Sequence, residues 1–140
     1  MASRNPDRYF RVFICLDRES RYGLAPIDFD TVRQELKSCG GISFKNIDLF
    51  EAVQDIESWF FHDIEGIFQH LRLDRAHRIP QKYRPVERLN NVDMSNLFKL
   101  AGREYRKGFA SQNFTDGLDL QKIRAGSSVL ERFIHRMQYP

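Results

Sequence analysis

The chain has 140 residues, 41% of them apolar and 13% aromatic with twelve Phe, which is the make-up of one folded domain and excludes a disordered chain. Lys and Arg outnumber Asp and Glu by 22 to 19, and a net charge of +3 permits a nucleic-acid partner without demanding one. The opening "MASRNPDRYF" lacks the apolar centre of a secretory signal, and no apolar run approaches the roughly 20 residues that span a bilayer, so the expectation is a soluble cytoplasmic protein with no membrane partner.

Residues 1–8 are polar and read as a flexible N-terminus. Residues 9–16, "YFRVFICL", are aromatic and β-branched with one charge, which predicts a largely buried strand. Cys15 lies inside it and reads as a buried thiol. With Cys39 it makes no metal spacing, and the pair suits a reducing compartment. "DRESRYGLAP" is a turn-and-loop segment punctuated by Gly23 and Pro26. Asp28 or Asp30 can cap a short helix over "FDTVRQELKSCGG", with Phe29, Val32, Leu36 and Cys39 at helical spacing and Gly40 or Gly41 as the stop.

"ISFKNIDLF" reads as a second strand, with apolar residues at 42, 44, 47 and 49. Asp55 opens a helix through "IESWFFHDIEGIFQHL", whose predicted stripe is Ile56, Phe60, Ile64, Ile67, Phe68 and Leu71. The strand–helix–strand–helix order predicts an α/β fold with a small, partly parallel sheet flanked by helices. From 72 to 91 the chain is basic, and Pro80 and Pro85 forbid a continuous helix. Three short helices are predicted near "DMSNLFKLAGREYRKGF", "LDLQKIRAG" and "SVLERFIHRMQ". The last carries a capping box of Ser128 with Glu131 and a stripe of Leu130, Phe133, Ile134 and Met137. The whole reads as a single domain over 1–140: an α/β part at 9–71, a basic loop at 72–91 and a helical part at 92–140.

Asp17 and Glu19 are the acids that follow the first strand. Residues i and i+2 of an extended chain point the same way, and ligands gather beyond the carboxyl ends of strands in open α/β sheets. Two such carboxylates can hold Mg²⁺, which takes few protein ligands and keeps its waters. A polar turn of Asp-Arg-Glu-Ser facing solvent is the other reading. A second acidic group is Asp55, Glu57 and Asp63. Asp55 reads as a helix cap, and Glu57 can approach Asp17 if it stands before the helix. Arg72, Arg75, Arg78, Lys82, Arg84, Arg88, Arg103, Arg106 and Lys107 can grip phosphates, with Tyr83 and Tyr105 as stacking platforms. Interleaved acids leave open that these cations are solvated surface. No Walker loop, dinucleotide turn, nucleophile elbow or zinc spacing is present.

Three stretches taken in order resemble the RloB-like family of prokaryotic proteins, whose fold is similar to the topoisomerase–primase (TOPRIM) domain. They are "FRVFICLDRES", the Glu-x-Trp-x-x-x-Asp of "IESWFFHD", and the tail from "YRKG" through "RAGSSVLERFIHRM". The family's Asp-x-Asp is Asp17-x-Glu19 here, and its earlier strand and Glu have no counterpart in residues 1–8. The resemblance implies a Mg²⁺-dependent nuclease or related phosphoryl-transfer module acting on nucleic acid, in a mobile-element or anti-phage defence setting. On that reading Asp17 and Glu19 are the expected metal ligands with Glu57 or Asp63 assisting, Glu57 standing in for the missing Glu unless a partner chain supplies it or the domain is inactive. Asp17, Glu19, Glu57 and Lys107 are the expected catalytic residues, and Arg78, Lys82, Arg84, Arg88, Arg103 and Arg106 the basic residues expected to contact phosphate. The competing expectation is a non-catalytic subunit that uses the same fold to bind a partner protein or a second copy of itself.

Overall fold

A computed structural model describes residues 12–18, 23, 25–38, 47–107 and 112–139. Two strands, β1 (Val12–Asp17) and β2 (Ile47–Ala52), pair in parallel with Val12 opposite Ile47 and Asp17 opposite Ala52. Parallel pairing needs a crossover, and α1 (Phe29–Ser38) lies on it. Asp28, one of the two expected caps, starts α1. Its carboxylate accepts the N–H groups of Asp30 and Thr31 and the Thr31 hydroxyl. Phe29, Val32 and Leu36 are half-buried at helical spacing, while Cys39 and the expected glycine stop lie outside the described residues. The same holds for residues 9–11 and 42–46 of the two expected strands. Cys15 is a free, half-buried thiol, and burial followed by the charge of Asp17 pushes it up to about 11.

The helix expected over 56–71 is two elements. Ile56–Asp63 is a 3-10 helix, and only Ile64–Leu71 is α-helical (α2). At three residues per turn, side chains i and i+3 eclipse. The buried line is therefore Asp55, Ser58, Phe61 and Ile64, with Phe61 2% exposed. The predicted stripe assumed a period of 3.6 throughout. It placed Ile56 inside, where the structure leaves it 38% exposed, and it omitted Phe61. Three aromatics in succession suit the tighter period, because each projects about a third of a turn from the next. Trp59 faces the α5–α6 turn described below, Phe60 meets Phe114 edge-on at 5.7 Å, and Phe61 stacks on Tyr83 at 5.6 Å.

After α2 the chain turns through Arg72, whose φ of 54° is left-handed. The Leu73 N–H then bonds the Phe68 carbonyl at 3.1 Å, and Leu73 enters the core. The proline-bearing stretch forms two 3-10 turns, Pro80–Tyr83 and Val86–Arg88. Four helices follow: α3 (Asn91–Leu100), α4 (Gln112–Thr115), α5 (Leu120–Gly126) and α6 (Ser128–Gln138). α3 carries a capping box between Asn90 and Asp93. The core sits beside the sheet. Phe61, Ile67, Phe68, Met94, Leu97 and Phe114 are nearly inaccessible in it. Thus α2, grouped with the sheet in the sequence reading, buries its stripe against the C-terminal helices.

The sheet is roofed instead by α6, where Phe133 meets Phe13 and Phe50 edge-on at 5.9 and 4.9 Å. Of the predicted α6 stripe, Leu130, Phe133 and Ile134 are half-buried and Met137 is 53% exposed. The predicted cap is displaced by one residue. Ser127, not Ser128, accepts the Leu130 N–H, and Glu131 pairs with Arg124 through two contacts of 2.7 and 2.9 Å. Among the described residues no helix is long and apolar enough to cross a membrane.

Candidate functional site at the carboxyl end of the sheet

Parallel register carries both strands out at one edge, with Asp17 opposite Ala52. From there β2 leads through Gln54 and Asp55 into the 3-10 helix. Asp17 spans the gap: its Oδ1 accepts the Ile56 N–H at 3.0 Å. That bond satisfies one of the N–H groups a helix start leaves over. Asp17 and Glu57 both act on the charge of Lys107. Arg18 continues the ladder by donating its N–H to the Ala52 carbonyl at 2.9 Å, and its guanidinium meets Glu51 at 3.2 Å. Arg18 is therefore turned back onto β2.

Asp55 caps the 3-10 helix through the Ser58 N–H at 3.2 Å and accepts the Asn91 N–H at 2.8 Å, which ties α3 to the same point. Burial raises its carboxyl above the ordinary range, the Asn91 bond opposes this, and Glu57 and Asp17 add to the rise. Glu57 is nearly buried, and Lys107 reaches it at 2.9 Å. Burial alone would lower the Lys107 ammonium; the bond and charge of Glu57, with Asp55 and Asp17 behind, leave it raised. The Tyr105 hydroxyl is raised by burial and then by Glu57 and Asp55. Asp17, Asp55, Glu57, Tyr105 and Lys107 thus form one electrostatic unit, three carboxylates around one ammonium.

The expected site residues divide. Asp17, Glu57 and Lys107 come together. Glu19 lies outside the described residues. Asp63 stands at the far end of the 3-10 helix, six residues and about 12 Å of rise from Glu57. There it has another task. Its carboxylate accepts the N–H groups of Gly66 and Asp119, at 3.3 and 2.7 Å, and meets the Lys122 ammonium at 3.2 Å, pinning α2 to α5. Asp63 is a fold residue in this structure, and Lys122, its partner, carried no signal in the sequence.

The two candidate stacking rings are half-buried: Tyr83 lies against Phe61 and Phe68, and Tyr105 packs edge-on to Phe98 at 5.1 Å. Among the basic residues, Arg78 donates to the Leu73 carbonyl at 2.7 Å, Arg103 to the His70 carbonyl at 3.4 Å, and Arg106 to Glu104 at 2.7 Å. Lys82, Arg84 and Arg88 are exposed and make no ion pair among the described residues.

Asp17 and Glu57 offer only oxygen donors, the set that suits a hard cation such as Mg²⁺. Among the described residues no group of three or more His, Cys, Asp or Glu is arranged to hold a metal ion. Two carboxylates remain within what Mg²⁺ requires, since it keeps several waters.

Family models, curated proteins and solved structures were compared with the chain, and none matches.

Proposed function

We propose that the carboxyl end of the sheet is a site for Mg²⁺-dependent phosphoryl transfer on nucleic acid, of the nuclease kind. The supporting observation is the convergence of Asp17, Glu57 and Lys107 at the place where an open parallel sheet collects its chemistry. A bound Mg²⁺ would activate water and offset charge on the phosphate. Asp17 and Glu57 are the groups that would hold it. Glu57 would exchange Lys107 for the ion. Lys107, about half exposed, is then free to sit against the phosphate and neutralise it. Lys82, Arg84 and Arg88 would steer the polyanion by charge.

The resemblance to the RloB-like family and its TOPRIM-like fold supports the same reading. Asp17→Asn is the test, because asparagine retains the oxygen that accepts the Ile56 N–H and so preserves the helix start. Mg²⁺-dependent cleavage of single- and double-stranded DNA and RNA should fall by about a hundredfold or more, the scale for losing one placed electrostatic group. Calorimetry should show weaker Mg²⁺ binding at unchanged melting temperature. Cleavage by the variant equal to that of the parent would remove Asp17 from the mechanism.

One observation favours a second reading. Glu57 already has a cationic partner in Lys107, and a closed ion pair is what a non-catalytic, partner-binding subunit would keep there. Absence of any Mg²⁺ heat in the parent chain would select it.

A further inference from the structure

A cavity of about 210 Å³ opens on the other flank of the 3-10 helix, between that helix, the Val86–Arg88 turn and the α5–α6 junction. It is smaller than a drug-sized site and has room for one ring system. Trp59 and His62 line one wall. They are three residues apart on a 3-10 helix, so they share one face of it. Facing them is the turn at Gly126. A Cβ there would run into the His62 ring, so only glycine lets the backbone come this close.

The polar groups of the cavity separate into spent and unspent. The Ser58 hydroxyl donates to the Asp55 carbonyl, the Ser127 hydroxyl caps α6, and Glu51 is held by Arg18 and the Ile27 N–H. By contrast, Glu87, the Trp59 indole N–H, the His62 ring and the Ser128 hydroxyl make no hydrogen bond among the described residues. A cavity with an aromatic wall and one exposed carboxylate, Glu87, which makes no hydrogen bond among the described residues and whose charge is felt by His62, has a definite complement. An ionised carboxylate only accepts, so it pairs best with two adjacent N–H donors on the edge of a planar ring.

We propose that this cavity receives a single unstacked guanine base, which lies on Trp59 and donates its N1–H and N2 amino group to Glu87. Bases drawn out of a strand are read in this manner, by stacking and by their Watson–Crick edge. Adenine and cytosine set an acceptor nitrogen beside their amino group, which an anionic oxygen repels. Uracil offers one N–H between two carbonyls. The proposal rests on the nucleic-acid reading above and deepens it, by naming which base the site selects.

Equilibrium dialysis of the four ribonucleosides against the intact chain, without metal, tests it. Guanosine should bind at least about tenfold more tightly than the others, and Glu87→Gln should weaken it by about tenfold or more, as expected for losing a charge-assisted bond. Glu65→Gln, on the exposed face of α2, should change nothing. Trp59 is the only tryptophan, so its fluorescence should report the same titration. Equal binding of all four nucleosides, no binding at millimolar concentration, or guanosine binding indifferent to Glu87→Gln would overturn the proposal. The Asp17→Asn chain should bind guanosine as the parent does. Loss of cleavage with guanosine binding retained therefore fails nothing here, while loss of guanosine binding with cleavage retained sinks this inference alone.

Discussion

Gly66 occupies the third position of α2, where replacement of glycine by alanine ordinarily stabilises by about 0.5–1 kcal/mol. Here the sign should reverse. A Cβ at Gly66 would run into the carboxylate of Asp63, the group that caps α2 and ties it to Asp119 and Lys122. Displacing a cap costs about 0.5–2 kcal/mol. Gly66→Ala should therefore lose about 1–2 kcal/mol in urea denaturation, and a gain in stability would show that Asp63 does not hold this position in solution. The same residue marks a boundary of what sequence can tell. Asp63 and Glu57 are both acids in an aromatic-rich segment, and nothing in their spacing separates a clamp from a candidate ligand. What separates them is long-range: Asp63 meets residues 56 and 59 positions away, and Glu57 meets one 50 away.

At the scale of elements, the sequence carried the identity of nearly every helix but misjudged phase. The apolar residues of 56–71 fit a 3.6 period in their second half, where Ile64, Ile67, Phe68 and Leu71 are all buried. In the first half three adjacent aromatics fit either period, and packing against Tyr83 and Phe114 decided for the tighter one. The start of α6 shows the same one-step ambiguity. Two serines stand in a row, and the Ser-x-x-Glu pattern selects Ser128. The structure caps with Ser127 because Glu131 is drawn back to Arg124 across the α5–α6 turn. The two readings have different consequences. Ser127→Ala should cost about 0.5–2 kcal/mol as a lost cap, whereas Ser128→Ala should stay within about 0.5 kcal/mol as a surface change. Thermal denaturation of the two variants checks this. A larger loss at Ser128 would restore the pattern-based cap.

For the whole molecule, the α/β class and the parallel pairing agree with the element order, since a helix between two strands supplies the crossover that parallel pairing needs. The place of the core did not follow. Among the described residues, Phe61, Phe68, Phe98 and Phe114 join a helical core while Phe13 and Phe50 of the small sheet meet Phe133, and no local pattern says which aromatic joins which. Charge was legible in the same partial way. The sequence marks a basic run, but only the fold shows that Arg78, Arg103 and Arg106 donate to groups of the chain itself while Lys82, Arg84 and Arg88 make no ion pair among the described residues. That division makes a thermodynamic prediction. Each phosphate neutralised on a single strand releases counterions and adds about 0.7 to the slope of log affinity against log salt. Replacing Lys82, Arg84 and Arg88 together by glutamine should reduce that slope by about 2 in fluorescence-anisotropy titrations with a single-stranded oligonucleotide. Arg106→Gln should reduce it by less than one contact's worth, because Glu104 already offsets that charge. A slope unchanged in the triple variant would place the polyanion on another face and separate the sheet's acidic mouth from any nucleic acid held there.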